Sequence, residues 1–283
     1  YLFALMSPIV FLLLQRYRVL HRQKHVGGVR LILLEVILLH QLFCGFCAVK
    51  TAKPDDLEAD EPQRVAEATK RMNLNHVVIT AVARDDLKDG GAEHFQRTIE
   101  AVRETNPGII IEVLVPDFND KGWALDLVMK ARPHIFNHNL ETVERLTPLV
   151  RSRAKYDRSL AVLKKAKEMA EGKVATKSGI MLGLGEKPDE ITQAMDDLRS
   201  ADVTVLTLGQ YLRPTPMHLP VVEYVTPERF DEWKEVALSK GFRHVASGPL
   251  VRSSYHAADF HPEDDVLEAI EVDLAAAKQA QTA

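Results

Sequence analysis

Cys44 and Cys47 are the only cysteines in 283 residues, and they stand three apart in the string CGFCAVKTAKP. A pair at this spacing can do three kinds of chemistry. It can ligate an iron–sulfur centre through thiolates, cycle between dithiol and disulfide, or supply half of a zinc site. Zinc would need two further ligands at regular spacing, and there is no second CxxC. A redox pair needs the second half of its motif to open a helix. The stretch after Cys47, AVKTAKPDDLEADEP, is polar, carries two prolines and has no helical period. A thiol oxidoreductase built on CGFC therefore stays as the weaker alternative, and iron–sulfur ligation leads.

Other polar clusters come after short apolar runs rather than lying within them. The runs are HVVITAV (76–82), IIIEVLVP (109–116), HIFNHNL (134–140), KSGIMLGLG (177–185), VTVLTLGQYL (203–212) and RHVASGP (243–249). ARDDLKDGGAEH follows the first, NHNLET the third, LGE the fourth, GQYLRPT the fifth and SGPLVRSSYH the last. Between the runs lie stretches with apolar residues at three- and four-residue spacing, such as PQRVAEATKRM and AEHFQRTIEAVRET, which the period marks as helices. Val65, Ala68 and Met72 would share one face of the first, and Phe95, Ile99 and Val102 one face of the second. Thr226 before Pro227 fits an N-cap followed by a first-turn proline, and Gly241 fits a helix stop. Strands alternating with helices give a parallel sheet covered by helices. Five chemically rich loops at strand carboxyl ends favour a β/α barrel, or part of one, over an open doubly wound sheet. The expected class is α/β: a partial (β/α) barrel, parallel strands with outer helices.

Composition narrows the partners. The chain is 46% apolar and 27% charged, with net charge −4 and a pI near 6.3, which gives no reason to expect nucleic acid. Residues 1–43 differ from the rest: YLFALMSPIVFLLL, then basic QRYRVLHRQKHVGGVR, then LILLEVILL. The first run is shorter than the roughly 20 residues needed to span a bilayer, so no transmembrane helix is expected. This stretch reads as an atypical leader, signal-like or non-native, that packs poorly apart from a strand at 31–39. Residues 44–260 read as the barrel, and 261–283 as an exposed helical tail.

GFCAVKTAKP, RDDLKDGGAEHF, IEVLVPDF, FNHNLETVERL, TKSGIMLGLGE, TLGQYLRPTPMHLPV and FRHVASGPLVRSSYHA occur in this order at natural spacing. Together they resemble the lipoyl synthase family of the radical S-adenosylmethionine (SAM) superfamily, over roughly residues 44–258. The resemblance implies a radical-SAM-type partial barrel, two [4Fe–4S] clusters per subunit and SAM. It also implies insertion of sulfur into an octanoyl group on a lysine of a lipoyl carrier domain, through a SAM-derived 5′-deoxyadenosyl radical. The compartment would be the cytoplasm, or the mitochondrion or plastid in a eukaryote.

In that family the SAM cluster is held by CxxxCxxC. This chain supplies Cys44 and Cys47, while the position four before Cys44 is His40, in HQL where the family has CTR. Histidine replaces cysteine at some iron–sulfur sites, yet the whole flank differs, so His40 stands as a candidate ligand only. The second cluster takes three upstream cysteines and a serine of RSSY. Residues 1–43 hold no cysteine, which leaves Ser254, with Ser253 next, beside Arg252. For SAM the resemblance points to Thr80, Asn137, Asn139, Glu141, Lys177 and Gln210 at strand ends, with Arg213 facing the same mouth. Lys177 would pair with the SAM carboxylate. His138, read alone, is a structural histidine, and GLGE lacks the spacing of a phosphate-binding loop. The chain is thus expected to be an enzyme by family and, as written, to form neither a stable auxiliary cluster nor a lipoyl product. The competing reading is a degenerate barrel without catalytic clusters.

Overall fold

Among the described residues, the apolar runs become seven strands, all parallel, lying side by side in sequence order. The computed structural model describes residues 29–33 (as backbone), 46, 56–81, 84–255, 257–262, 266–268 and 270–272. The strands are β1 (Val29–Leu33), β2 (His76–Thr80), β3 (Ile110–Leu114), β4 (Ile135–Asn137), β5 (Ala175–Leu182), β6 (Val205–Gln210) and β7 (His244–Gly248). β1 lies within the stretch expected as leader and begins two residues before the anticipated strand; residues 34–45 are outside the described set.

Helices join successive strands: α1 (Glu61–Arg71), α2 (Ala92–Thr105), α3 (Gly122–Lys130), the short α4 (Thr147–Val150), α5 (Tyr156–Met169), α6 (Pro188–Ser200) and α7 (Pro227–Ser239). Their ends follow local chemistry. Thr226 accepts the Arg229 amide at the start of α7, with Pro227 behind it, and Gly241 takes φ +91° just past the helix end. In α2, Phe95, Ile99 and Val102 are buried as the spacing requires. In α1 the buried face is turned by about one residue, through Val65, Ala66 and Thr69. Thr69 can enter the core because its hydroxyl donates to the Val65 carbonyl at 2.8 Å.

Alternation within the strands separates two apolar regions. Ile111 and Val113 of β3 join Val77, Ile79, Phe136, Leu206 and Leu208 in the main core between sheet and helices. Ile110, one residue out of phase, meets Ile135 and Ala175 on the opposite, inner face. The C-terminal segment closes this inner face. Its 3-10 turn Ala257–Asp259 touches β2 although it follows β7, and Phe260 and Leu267 cover the Ile110, Ile135 and Ala175 cluster. Val266 and Ile270 are buried, so the start of the supposed tail is part of the fold. The reason is geometric: a sheet that curls without closing leaves an apolar inner base that something must cover. Among the described residues no helix is long and apolar enough to cross a membrane.

Candidate active site

Above the apolar base, the inner face turns polar one layer at a time. Glu112, from the middle of β3, is fully buried. Lys177 of β5 donates to its carboxylate at 2.9 and 3.0 Å, and the Asn137 side-chain amide of β4 donates at 2.8 Å. His76 of β2 stands 3.5 Å away, an ionic contact too long for a hydrogen bond. Burial alone would push the Glu112 carboxyl up; Lys177 first, then His76, overcome it and hold the group below the ordinary carboxylate range. Among the described residues, the Asn137 carbonyl oxygen and His76 Nε2 are buried without a hydrogen-bond partner. At the same face, the Thr80 hydroxyl donates to the Leu114 carbonyl at 2.9 Å.

At the carboxyl ends of the strands, segments far apart in sequence meet. The Asn139 side-chain amide donates to Glu141 at 3.1 Å and to Ser253 Oγ at 2.7 Å, which joins the NHNLE segment after β4 to the RSSY segment after β7. Its own carbonyl oxygen is buried and has no hydrogen-bond partner among the described residues. Glu141, at φ +68°, bridges to β5: its amide donates to the Gly179 carbonyl at 2.8 Å, and its carbonyl accepts the Met181 amide at 2.9 Å. Burial raises the Glu141 carboxyl pKa against the opposing pull of Arg151 and the Asn139 hydrogen bond. Arg151 also donates to the Asn139 and Leu140 carbonyls, both at 3.2 Å, and so fixes the segment from behind. Gly179 leaves the space this needs. A Cβ there would stand 2.6 Å from Thr207 Oγ1 and 2.9 Å from Asn139 Oδ1.

The RSSY segment lies back over β6. An added Cβ at Gly209 would overlap the Val251 carbonyl oxygen, and Arg252 Nη1 is also close, so only glycine admits the crossing backbone. Ser253 and Ser254 lie in the turn just beyond, with Tyr255 N donating to the Arg252 carbonyl at 2.8 Å.

Two residues expected to face SAM are occupied otherwise. Lys177 is committed to Glu112. Gln210 ends β6 in phase with Leu206 and Leu208, which face the helices, not the inner face. Its side chain donates to the Tyr211 and Glu223 carbonyls, both at 3.0 Å, and accepts the Val225 amide at 2.9 Å. Arg213 donates to the His218 and Pro216 carbonyls within the same loop. His138 is a structural residue, between the Val115 carbonyl and Ser159 Oγ. In GLGE, Glu186 accepts the Gly183 and Leu184 amides, a closed turn. His40, Cys44 and Cys47 lie outside the described residues; Phe46, between the cysteines, packs half-buried on the main core. Glu112 stands in the sequence as a lone charge inside IIIEVLVP and Gly209 as a glycine inside a strand, while Arg151 carries no local signal.

A family model described as the Radical SAM superfamily matches residues 41–198. The lipoyl synthase of Geobacillus kaustophilus (strain HTA426) is 59% identical over 214 residues, covering 76% of this chain and 72% of that protein. The lipoyl synthase of Halalkalibacterium halodurans is 56% identical over 235 residues, covering 83% of this chain and 77% of that protein. This chain belongs to the lipoyl synthase family. Its fold is shared with methylornithine synthase (TM-score 0.54, 14% identity, 94% of this chain and 86% of that one). It is shared also with Streptococcus suis SuiB bound to S-adenosylmethionine (TM-score 0.61, 12% identity, 83% and 53%).

As a radical-SAM sulfurtransferase of the lipoyl synthase family, the chain uses SAM and a [4Fe–4S] cluster. The mouth fits SAM. The Asn139 oxygen is a buried acceptor with no partner among the described residues; Glu141 is bonded to the same side chain, and Thr80 and Asn137 stand in register at the ends of β2 and β4. The donor set for iron fits less well. Outside Cys44 and Cys47 the chain has no thiolate, and Ser253 and Ser254 are weak substitutes.

Proposed function

We propose that the strand-end cluster around Asn139 is the SAM site, and that the octanoyl group of a lipoyl carrier domain enters beside it, over the RSSY segment. The observation that carries this is the Asn139 side chain itself, which ties Glu141 and Ser253 together while keeping one buried acceptor free. When bound, SAM and a [4Fe–4S] cluster would supply the radical chemistry of the reaction, with Cys44 and Cys47 as the thiolates that would hold the cluster. The chain's own residues bind and orient. Asn139 and Glu141 take the hydrogen-bond donors of SAM, and Thr80 and Asn137 complete the wall. Lys177 acts as a positioning residue, since it neutralises Glu112, which in turn holds the Asn137 amide. Gln210 positions the loop after β6.

Cys44 and Cys47 hold the SAM cluster in this reading, with His40 the remaining candidate donor, and Ser254 or Ser253 is the serine ligand of a second cluster. Residues 1–43 contain no cysteine to join that serine. Thiolate-held clusters suit a reducing compartment: cytoplasm, or mitochondrion or plastid in a eukaryote. Equilibrium binding of SAM to the Asn139→Ala variant tests the site. We expect affinity to fall at least about tenfold, the worth of a buried hydrogen bond to a polar ligand, with the variant somewhat less stable, through loss of its bonds to Glu141 and Ser253, but still folded at the assay temperature. Unchanged affinity would remove Asn139 from the site.

A further inference from the structure

The loop between β6 and α7, residues 211–225, displays apolar side chains to solvent although it is tightly braced. Met217 is 92% exposed, Tyr224 72% and Val222 65%. On the adjacent segment after β7, Leu250 is 74% exposed. This is not loose chain. Gln210 makes three hydrogen bonds into it, and the buried Tyr211 hydroxyl donates to the Leu219 carbonyl at 2.8 Å. The Val222 amide donates to the Gly183 carbonyl at 2.9 Å, and Gly183, at φ +100°, leaves room for Gln210 and the Glu223 carbonyl where a Cβ would collide with both. Folding has fixed an apolar display that no part of the described chain covers. Three large apolar side chains exposed within the stretch 217–224 of one braced loop are more than scattered surface hydrophobics, and they mark an interaction surface. Tyrosine and methionine are suited to it, one as a stiff anchor and the other as an adaptable filler.

We propose that this rim, Met217, Val222 and Tyr224 with Leu250, is the docking surface for the folded domain that carries the octanoyl-lysine. The inference rests on the functional reading above. The substrate is an acyl chain tethered to a protein by one lysine side chain, and the reacting carbons must reach the inner face beside Asn139. So short an arm brings the surface of the carrier onto the rim of the mouth. The loops after β6 and β7 form that rim, since both leave the carboxyl ends of neighbouring strands and the second continues into Ser253. The surface is thus continuous with the site that must receive the arm. A pre-built rim also avoids the ordering cost of docking on a flexible loop.

The test compares binding of an octanoylated carrier domain with binding of a short octanoyl-lysine peptide, using the full chain, its Met217→Ser/Tyr224→Ser double variant and a Val272→Ser control. Val272 is an exposed apolar residue far along the C-terminal segment, in the helical residues beyond Phe260 at the inner base. We expect the double variant to bind the domain at least about tenfold more weakly, with peptide binding and thermal unfolding unchanged, and the control to match the wild type. Unchanged domain binding overturns the proposal. So does equal weakening of domain and peptide, which would place the two side chains on the acyl arm instead. Self-association of the wild type that the double variant abolishes would give the rim to a second copy of the chain and also overturn it. A wild-type chain that binds neither ligand refutes the functional reading itself.

Discussion

Glu112 shows how one side chain can be obvious in the fold and inconspicuous in the sequence. It is the single charge in IIIEVLVP, and its burial is tolerable only because Lys177 and Asn137 converge on it from the next two strands. Neither partner is near it in sequence, so the network had to wait for the register of β3, β4 and β5. Removing one member should strand a buried charge. Lys177→Met is expected to cost about 3–5 kcal/mol in denaturant unfolding, and Glu112→Leu/Lys177→Met to recover most of that. A Lys177→Met cost within about 1 kcal/mol of wild type would mean the carboxylate is solvated. The buried histidines give a second residue-scale signature. His134 and His138 are both lowered from 6.5 to about 4, each by burial first, then by Arg103 and His76 in one case and by Arg151 in the other. The unfolded chain protonates these rings below about pH 6.5 while the folded chain resists until about 4. Their stabilising effect is therefore complete above pH 6.5 and is lost as pH falls towards 4, on the order of 1.4 kcal/mol per pH unit for each ring. Unfolding free energies measured at pH 7, 6 and 5 should fall accordingly, and His134→Gln should flatten the slope; a flat wild-type profile would contradict this.

At the scale of elements, the strands and most helices were legible, because period two and period 3.6 survive in short apolar runs. Helix α3, GWALDLVMK, was not singled out: it is apolar nearly all round, and a short apolar run does not distinguish helix from strand by period. Alternation also settles Gln210. Its place at a strand end suggested the mouth, but its phase with Leu208 turns it outward, where it braces residues 211–225. Of the candidate site, the resemblance points to Thr80, Asn137 and Asn139, whereas the Asn139–Ser253 contact joins residues 114 apart and no local pattern could announce it. The crossing of the RSSY segment over Gly209 can be tested directly. Gly209→Ala should lift Val251 and its neighbours, cost about 1–3 kcal/mol by overpacking, and speed tryptic cleavage after Arg252. Cleavage at the wild-type rate would mean that the crossing is not held as described.

For the whole molecule, the described fold brings the strand-end polar cluster around Asn139 together, while the 283 residues of the sequence include two cysteines, Cys44 and Cys47. The barrel, its inner polar layers and the covering C-terminal segment are all in place among the described residues. Family membership rests on residues spread along most of the chain. Against this stands a single cysteine pair, with His40 where a third thiolate is expected. A cubane held by two thiolates leaves two irons open to solvent and oxygen, and one serine cannot replace a set of thiolates. The most direct test is lipoyl formation on an octanoylated carrier domain, under anaerobic conditions with SAM, reductant, iron and sulfide. The chain as written is compared with one in which residues 1–43 are replaced by a cysteine-bearing lipoyl synthase segment that includes CTR. We predict product from the grafted chain and none from the chain as written. A grafted chain that binds its iron but makes no product would contradict the assignment of this mouth, and turnover by the unaltered chain would contradict the donor count and make His40 a ligand.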